Sequence, residues 1–231
     1  MRLTLDTVID NPNLPMIEPA QALIRQSTIE VFDMLSPSGI TGALSLGYAG
    51  TFNSIGAVLE ADKPLNTNVI ERDDMTFIVC WNMERASGQA VNALGNLSPA
   101  TAPFTGLRLG TGTNNAASFL VASGIASPTT FGVTPATHTG GWTVQTYQAS
   151  NSMVKRITHA GAETTTAVTA RAKSTSPIYL NGLPFASPIT AGTTGTIGMF
   201  CAYNEIISTA ECVDLMNKIA DIMRERGITV P

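Results

Sequence analysis

Apolar positions along this chain fall mostly in short runs with period two. Residues 75–81, Met-Thr-Phe-Ile-Val-Cys-Trp, are β-branched and aromatic on both alternating faces, the pattern of a central strand covered on both sides. Residues 142–148 and 152–157 are separated by Ala149-Ser150-Asn151, which predicts a hairpin. Residues 178–180 run into Asn181-Gly182, the strongest short hairpin signal, because a type I′ turn needs positive φ at both positions. Residues 197–203 again alternate. The stretches between are dense in Gly, Thr, Ser, Asn and Pro and predict loops, so residues from about 41 to 205 are expected to form many short strands.

The two ends differ from this middle. Pro12, Pro15 and Pro19 break any regular element near the N-terminus, and 27–34 is the one β-like run there. Residues 1–40 are therefore expected to form an extended N-terminal arm, or edge strands, placed before a sandwich that spans 41–231. At the other end Ser208-Thr-Ala-Glu211 is a capping box. Cys212, Leu215, Met216, Ile219, Ala220 and Met223 follow as one helical stripe, with Arg224 and Arg226 in the last turn and Gly227 as a left-handed stop. This predicts a helix over 209–226.

Composition narrows the function classes. Of 231 residues, 44% are hydrophobic, enough for a proper core, and only 13% are charged, with a formal charge of -4. The surface must be built largely from hydroxyls, amides and backbone. The acidity and the absence of any Lys/Arg run argue against nucleic-acid binding. No apolar stretch is long enough for membrane insertion, and Asp6 comes too early for a secretory signal, which predicts folding in the cytosol. Cys80, Cys201 and Cys212 are widely spaced in apolar runs and read as buried thiols. Charge is uneven: Arg108 stands alone between Arg85 and Lys155, and 174–204 carries none. Free sheets normally interleave charges on outward faces and edges, so these stretches read either as faces covered by neighbours or as a Thr/Ser-coated soluble surface.

The order of signals beginning at Thr51-Phe-Asn53 and running through 75–79, Gly141 to Tyr147, 178–182 and 197–211 resembles the concanavalin A-like, laminin-G-like jelly-roll family, in the versions found in bacteriophage virion proteins. The likeness covers roughly 45–231. It implies an all-β fold, a two-sheet antiparallel jelly-roll sandwich with the N-terminal arm and one C-terminal α-helix, and often carbohydrate binding or surface adhesion. Fold alone does not fix function.

Chemistry is sparse. Relatives of this fold that hydrolyse glucans carry a Glu-x-Asp-x-x-Glu strand; here Glu71-Arg-Asp73-Asp74-Met-Thr76 puts Thr76 at the third position, and a charged turn is the better reading. Ala43-Leu-Ser45-Leu-Gly47 is one glycine short of a nucleophile elbow, and His138 and His159 have no recognisable acid partner. No catalytic residue and no metal ligand is therefore assigned, and no cofactor is expected. Domains of the resembled family often bind calcium at the sandwich rim. Glu60, Asp62, Asp73 and Asp74 are the acids available for that, and solvated turn carboxylates are the preferred reading. For a sugar, Phe131, His138, Trp142 and Tyr147 in or beside the Gly/Thr-rich segment 128–147 are the candidate ligand-binding group, with Trp142 equally readable as core. The expected function is a non-enzymatic virion protein, made in the host cytoplasm, that binds other virion proteins and copies of itself. The alternative is a receptor- or glycan-binding adhesin facing a host-surface glycan, and a glycoside hydrolase ranks last.

Overall fold

The computed structural model of the protein describes residues 18–84, 88–113, 116–133, 136–137 (backbone only) and 140–231. The strands are β1 Thr28–Phe32, β2 Ala57–Leu59, β3 Leu65–Asn66, β4 Met75–Glu84, β5 Val91–Gly95, β6 Leu107–Thr111 and β7 Ala116–Ser123. They continue with β8 Thr129–Gly132, β9 Ala136–Thr137, β10 Trp142–Ala149, β11 Met153–Thr158, β12 Glu163–Ala167, β13 Tyr179–Leu180 and β14 Thr194–Tyr203, and the chain closes with helix α1 Thr209–Glu225. All pairings are antiparallel. One sheet has the order β1-β14-β4-β10-β11-β12, with β2 also on β14; the other has β3-β13-β5-β6-β7-β8, with β9 on β7. The two-sheet jelly-roll sandwich with a C-terminal helix expected from the sequence is the fold observed.

Strand β4 shows why its sequence is apolar throughout. Met75, Phe77, Val79, Trp81 and Met83 face the second sheet, while Ile78 and Cys80 face α1. Both sides of a central strand are dry here, so period two in polarity disappears. The inner core is centred on Phe200, whose ring stacks between Phe32 and Phe77 at centroid distances of 6.3 and 6.1 Å. Tyr147 meets Phe119 across the two sheets at 5.3 Å.

The helix seals the outer face of the first sheet with Cys212, Leu215, Met216, Ile219, Ile222 and Met223. Its N-cap is the expected one: Ser208 Oγ accepts from the Glu211 N–H and donates to the Glu211 carboxylate at 2.6 Å. Gly198 forms a bulge in β14, and a Cβ there would stand 2.5 Å from Met223 and 3.2 Å from Trp142. The bulge lets the helix settle directly on the sheet.

Of the two forms expected for residues 1–40, an extended arm or edge strands, the described residues 18–40 take the second. Pro19–Leu23 forms a 3-10 turn buried against α1 through Ala20 and Leu23, and β1 is an edge strand paired along β14 from Thr28↔Tyr203 to Phe32↔Phe200. Pro19 opens the 3-10 turn without freeing the chain, and the edge-strand alternative holds for these residues; residues 1–17 lie outside the described set. Asn181 and Gly182 do take positive φ, at 58° and 99°, but they build no two-residue hairpin. The Asn181 amide is recruited by Glu60 O at 2.9 Å and the Thr193 N–H at 2.7 Å, so the turn carries the chain out of the sheet into the 183–192 loop.

Candidate functional site

The four aromatic and imidazole positions singled out for a sugar do not converge. Tyr147 is buried in the inter-sheet core, with its hydroxyl donating to Gln145 Oε1 at 2.6 Å. Five residues away on the same strand, Trp142 must face the opposite side, and it packs under α1. Phe131 lies on β8 at the edge of the other sheet, 45% exposed. His138 lies outside the described residues. Segment 128–147 contains β8, β9 and most of β10, the last of these the strand expected over 142–148, and its alternating strand geometry separates the side chains.

The acids are committed elsewhere. Glu71 is fully buried in an ion pair with Arg171, 2.5 Å apart, and its other oxygen accepts the Ser174 N–H at 3.2 Å. Thr76 is also buried and bonds Glu205 O and the Gln148 amide, so this segment does not line a cleft. Asp73 pairs with Lys173, whose ammonium holds its carboxyl below the usual range. Glu60 pairs with Lys63 at 2.7 Å. Asp73 precedes β4 where β14 ends, whereas Glu60 follows β2 where β14 begins, so the two acid groups lie at opposite ends of the sandwich. Among the described residues no three His, Cys, Asp or Glu side chains converge as a metal would require.

All three cysteines are free and buried. Burial pushes the Cys80 and Cys201 thiols up to about 12 and the Cys212 thiol up to about 11. At pH 8 all three should stay protonated, and a thiol reagent such as DTNB is expected to label none in the native protein and three after denaturation. Rapid native labelling of any one would contradict this packing.

A cavity of about 320 Å³ lies where α1, the 3-10 turn and the end of β1 meet, beside Glu18, Asp33, Glu225 and Arg226. The Arg226 guanidinium is already spent there: its Nη1 donates to the carbonyls of Asp33, Ile55 and Gly198 at 2.8–3.0 Å and pins the helix end to the sheet.

The remaining chemistry sits on the outer face of the second sheet, away from α1. Register places Tyr179, Gly95, Arg108, Leu120 and Gly132 in one row across β13, β5, β6, β7 and β8. The next row holds Asn92, Gly110 and Ser118. Leu107 and Leu109 point into the core on either side of Arg108, so Arg108 must point outward. Its Cδ and Nε lie 3.4 and 3.5 Å from where a Cβ on Gly110 would be, so the side chain runs along its own strand over that glycine. Phe185 from the 183–192 loop packs edge-on against Tyr179, with centroids 5.7 Å apart. Tyr179 and Arg108 are two strands apart with a glycine between them, a backbone spacing of about 10 Å.

This row is electrostatically incomplete. Arg108 is partly buried, and its Nε and Nη1 are shut from solvent with no hydrogen-bond partner among the described residues. Burial pulls its pKa below the ordinary value, and among the described residues no carboxylate offsets it. Asn92 is fully buried, and both its amide nitrogen and oxygen also lack partners. Orphaned buried polar atoms are uncommon, and a desolvated cation without a counter-charge costs more than a neutral group. The row thus carries an aromatic pair at one side and an unsatisfied guanidinium at the other. The sequence did mark Arg108, as the lone charge in a long neutral stretch, but only register places Tyr179 beside it.

Comparison with known proteins supports the architecture. No family model matches the chain, and no curated protein matches it. Among solved structures it is similar to Trypanosoma rangeli sialidase in complex with sialic acid, with a TM-score of 0.66 and 12% identity over 87% of this chain and 34% of that one. It is similar to the binding domain of botulinum neurotoxin DC in complex with SialylT, with a TM-score of 0.60 and 10% identity over 85% of this chain and 52% of that one. It is also similar to domain 4 of AbnA, an extracellular arabinanase of Geobacillus stearothermophilus, in complex with arabinotriose. There the TM-score is 0.53 and identity 15%, over 82% of this chain and 98% of that one. The chain thus spans about a third of the sialidase and about half of the toxin domain. At these identities the likeness shows the fold alone, a two-sheet antiparallel β-sandwich.

Proposed function

We propose that this protein is a non-catalytic glycan-binding module that holds its ligand on the outer face of the second sheet. The observation that carries the reading is the row Tyr179–Gly95–Arg108 with Phe185 beside it. It offers an apolar ring surface for the C–H face of a sugar and polar donors for its oxygens, on a sheet face that α1 leaves uncovered. The solved structures of similar fold with bound saccharides favour the same reading. Glu71, the acid that a hydrolase of this fold would need exposed, is locked to Arg171, which favours binding over turnover.

The adhesin reading is preferred to that of a decoration protein attached through its N-terminal segment. The described part of that segment, residues 18–40, spends its edge and its apolar side chains on the protein's own sheet and helix. Attachment to a virion, implied by the sequence resemblance, then describes where such a module works, with binding as its task there.

Tyr179→Ala is expected to weaken binding on a glycan array at least tenfold, about 1.4 kcal/mol, while leaving the thermal midpoint within a few degrees of wild type. Unchanged binding by a folded Tyr179→Ala protein would exclude this face.

A further inference from the structure

We infer that the Arg108 face selects a sugar bearing a carboxylate, a sialic or uronic acid residue, over its neutral counterpart. This rests on the glycan-binding reading and specifies its ligand. The guanidinium is a planar fork of donors suited to a two-oxygen anion, and two of its nitrogens are buried with no acceptor. The Asn92 amide, across the strand pair from Gly110, over which the guanidinium lies, is buried with donor and acceptor both unmatched. The unmatched guanidinium, costly to leave without a counter-charge, points to an anionic ligand group completing the site, while the fully buried Asn92 amide is itself closed to a ligand in this structure.

Charge distribution fixes what kind of anion. Arg108 is the lone charged residue from 86 to 154, and 174–204, which supplies Tyr179 and Phe185, has none. A polysulfated or polyphosphorylated chain is captured by a cluster of cations and long-range attraction. One half-buried guanidinium matches one monoanion held at short range. The aromatic pair, about 10 Å away across Gly95, is placed to meet the ring that carries it.

The test measures calorimetric affinity of the full chain for a sialylated trisaccharide, a glucuronate-terminated disaccharide, and the carboxyl-reduced form of each. Wild type is expected to bind at least one acidic probe about 10- to 100-fold more tightly than its reduced form, the size of a charge-assisted hydrogen-bond pair. The sialyl and uronate arms decide which acid it is. Arg108→Met should abolish that preference, and Arg108→Lys, which keeps the charge and loses the fork, should retain only part of it. Because the Arg108 guanidinium forms no hydrogen bond that holds the fold among the described residues, neither variant is expected to lower the melting temperature. Equal affinity for acidic and reduced probes, or a preference surviving in Arg108→Met, would overturn the inference while the glycan-binding reading stands. Binding to no saccharide on a broad array would remove both.

Discussion

Glu30→Ala is expected to cost about 3–5 kcal/mol of unfolding free energy, a large share of the stability of a domain this size. Glu30 is fully buried on β1, and its two oxygens accept five hydrogen bonds. Oε1 takes the N–H groups of Val31 and Thr41, each at 2.9 Å. Oε2 takes the Thr41 hydroxyl at 2.7 Å and the N–H groups of Ala43 and Leu44 at 3.1 and 2.9 Å. The carboxyl group is thus the hub around which the 39–44 turn is wound. Truncation leaves several backbone donors without acceptors, and each unsatisfied buried group costs about 1–3 kcal/mol. Gly39 belongs to the same arrangement, since a Cβ there would lie 2.2 Å from the Glu30 carboxyl carbon. Glu30→Gln should fall between wild type and alanine, because the amide presents a donor to a donor while keeping one acceptor. Urea unfolding read by tryptophan fluorescence gives the comparison. A loss below about 1 kcal/mol for alanine would show that this turn holds itself by other means.

Arg171→Met should be comparably severe, at about 3–5 kcal/mol, because removing one partner of a buried pair strands the other. Arg171 and Glu71 side chains are 1% and 0% exposed. The guanidinium also donates to the carbonyls of Ala149, Asp73 and Arg72, at 2.8, 3.1 and 3.2 Å. It therefore ties the end of β10 to the entrance of β4 and to the strand-linking segment 168–178. The companion experiment separates attraction from desolvation. Arg171→Met combined with Glu71→Leu should recover much of the loss, since an apolar pair needs no counter-charge. A double variant as unstable as Arg171→Met alone would show that the carbonyl contacts, not the ion pair, carry the cost.

The strands and helix could be read from the chain because local rules and burial agree there. Strand β4 is apolar on both faces, and α1 has both caps and a single stripe. The N-terminal segment could be read as arm or edge strand because proline removes N–H groups without deciding whether a chain docks, and long-range pairing of β1 with β14 decided it for the described residues. Asn181-Gly182 misled because a local turn preference was kept in its dihedrals but put to tertiary use by the Asn181 side chain. For the site the difficulty was greater. Phe131, Trp142 and Tyr147 are close in sequence yet divided among a sheet edge, the layer under the helix and the core. Tyr179 and Arg108 are far apart in sequence and become neighbours only through the strand order β13-β5-β6.

The sandwich is two-sided in its accessories as well as in its sheets. The turn at Pro19–Leu23, the helix and the tail through Ile228 and Val230 all pack on the first sheet, where His159 also holds the Pro231 carbonyl at 2.8 Å. Anything joined at Pro231, whether a surface, a bead or a fused partner, would therefore hang from the back. The Tyr179–Arg108 row would look away from the point of attachment, with a layer spacing of about 10 Å between the sheets. Copies tethered this way could crowd side by side with their Tyr179–Arg108 rows all facing the same way.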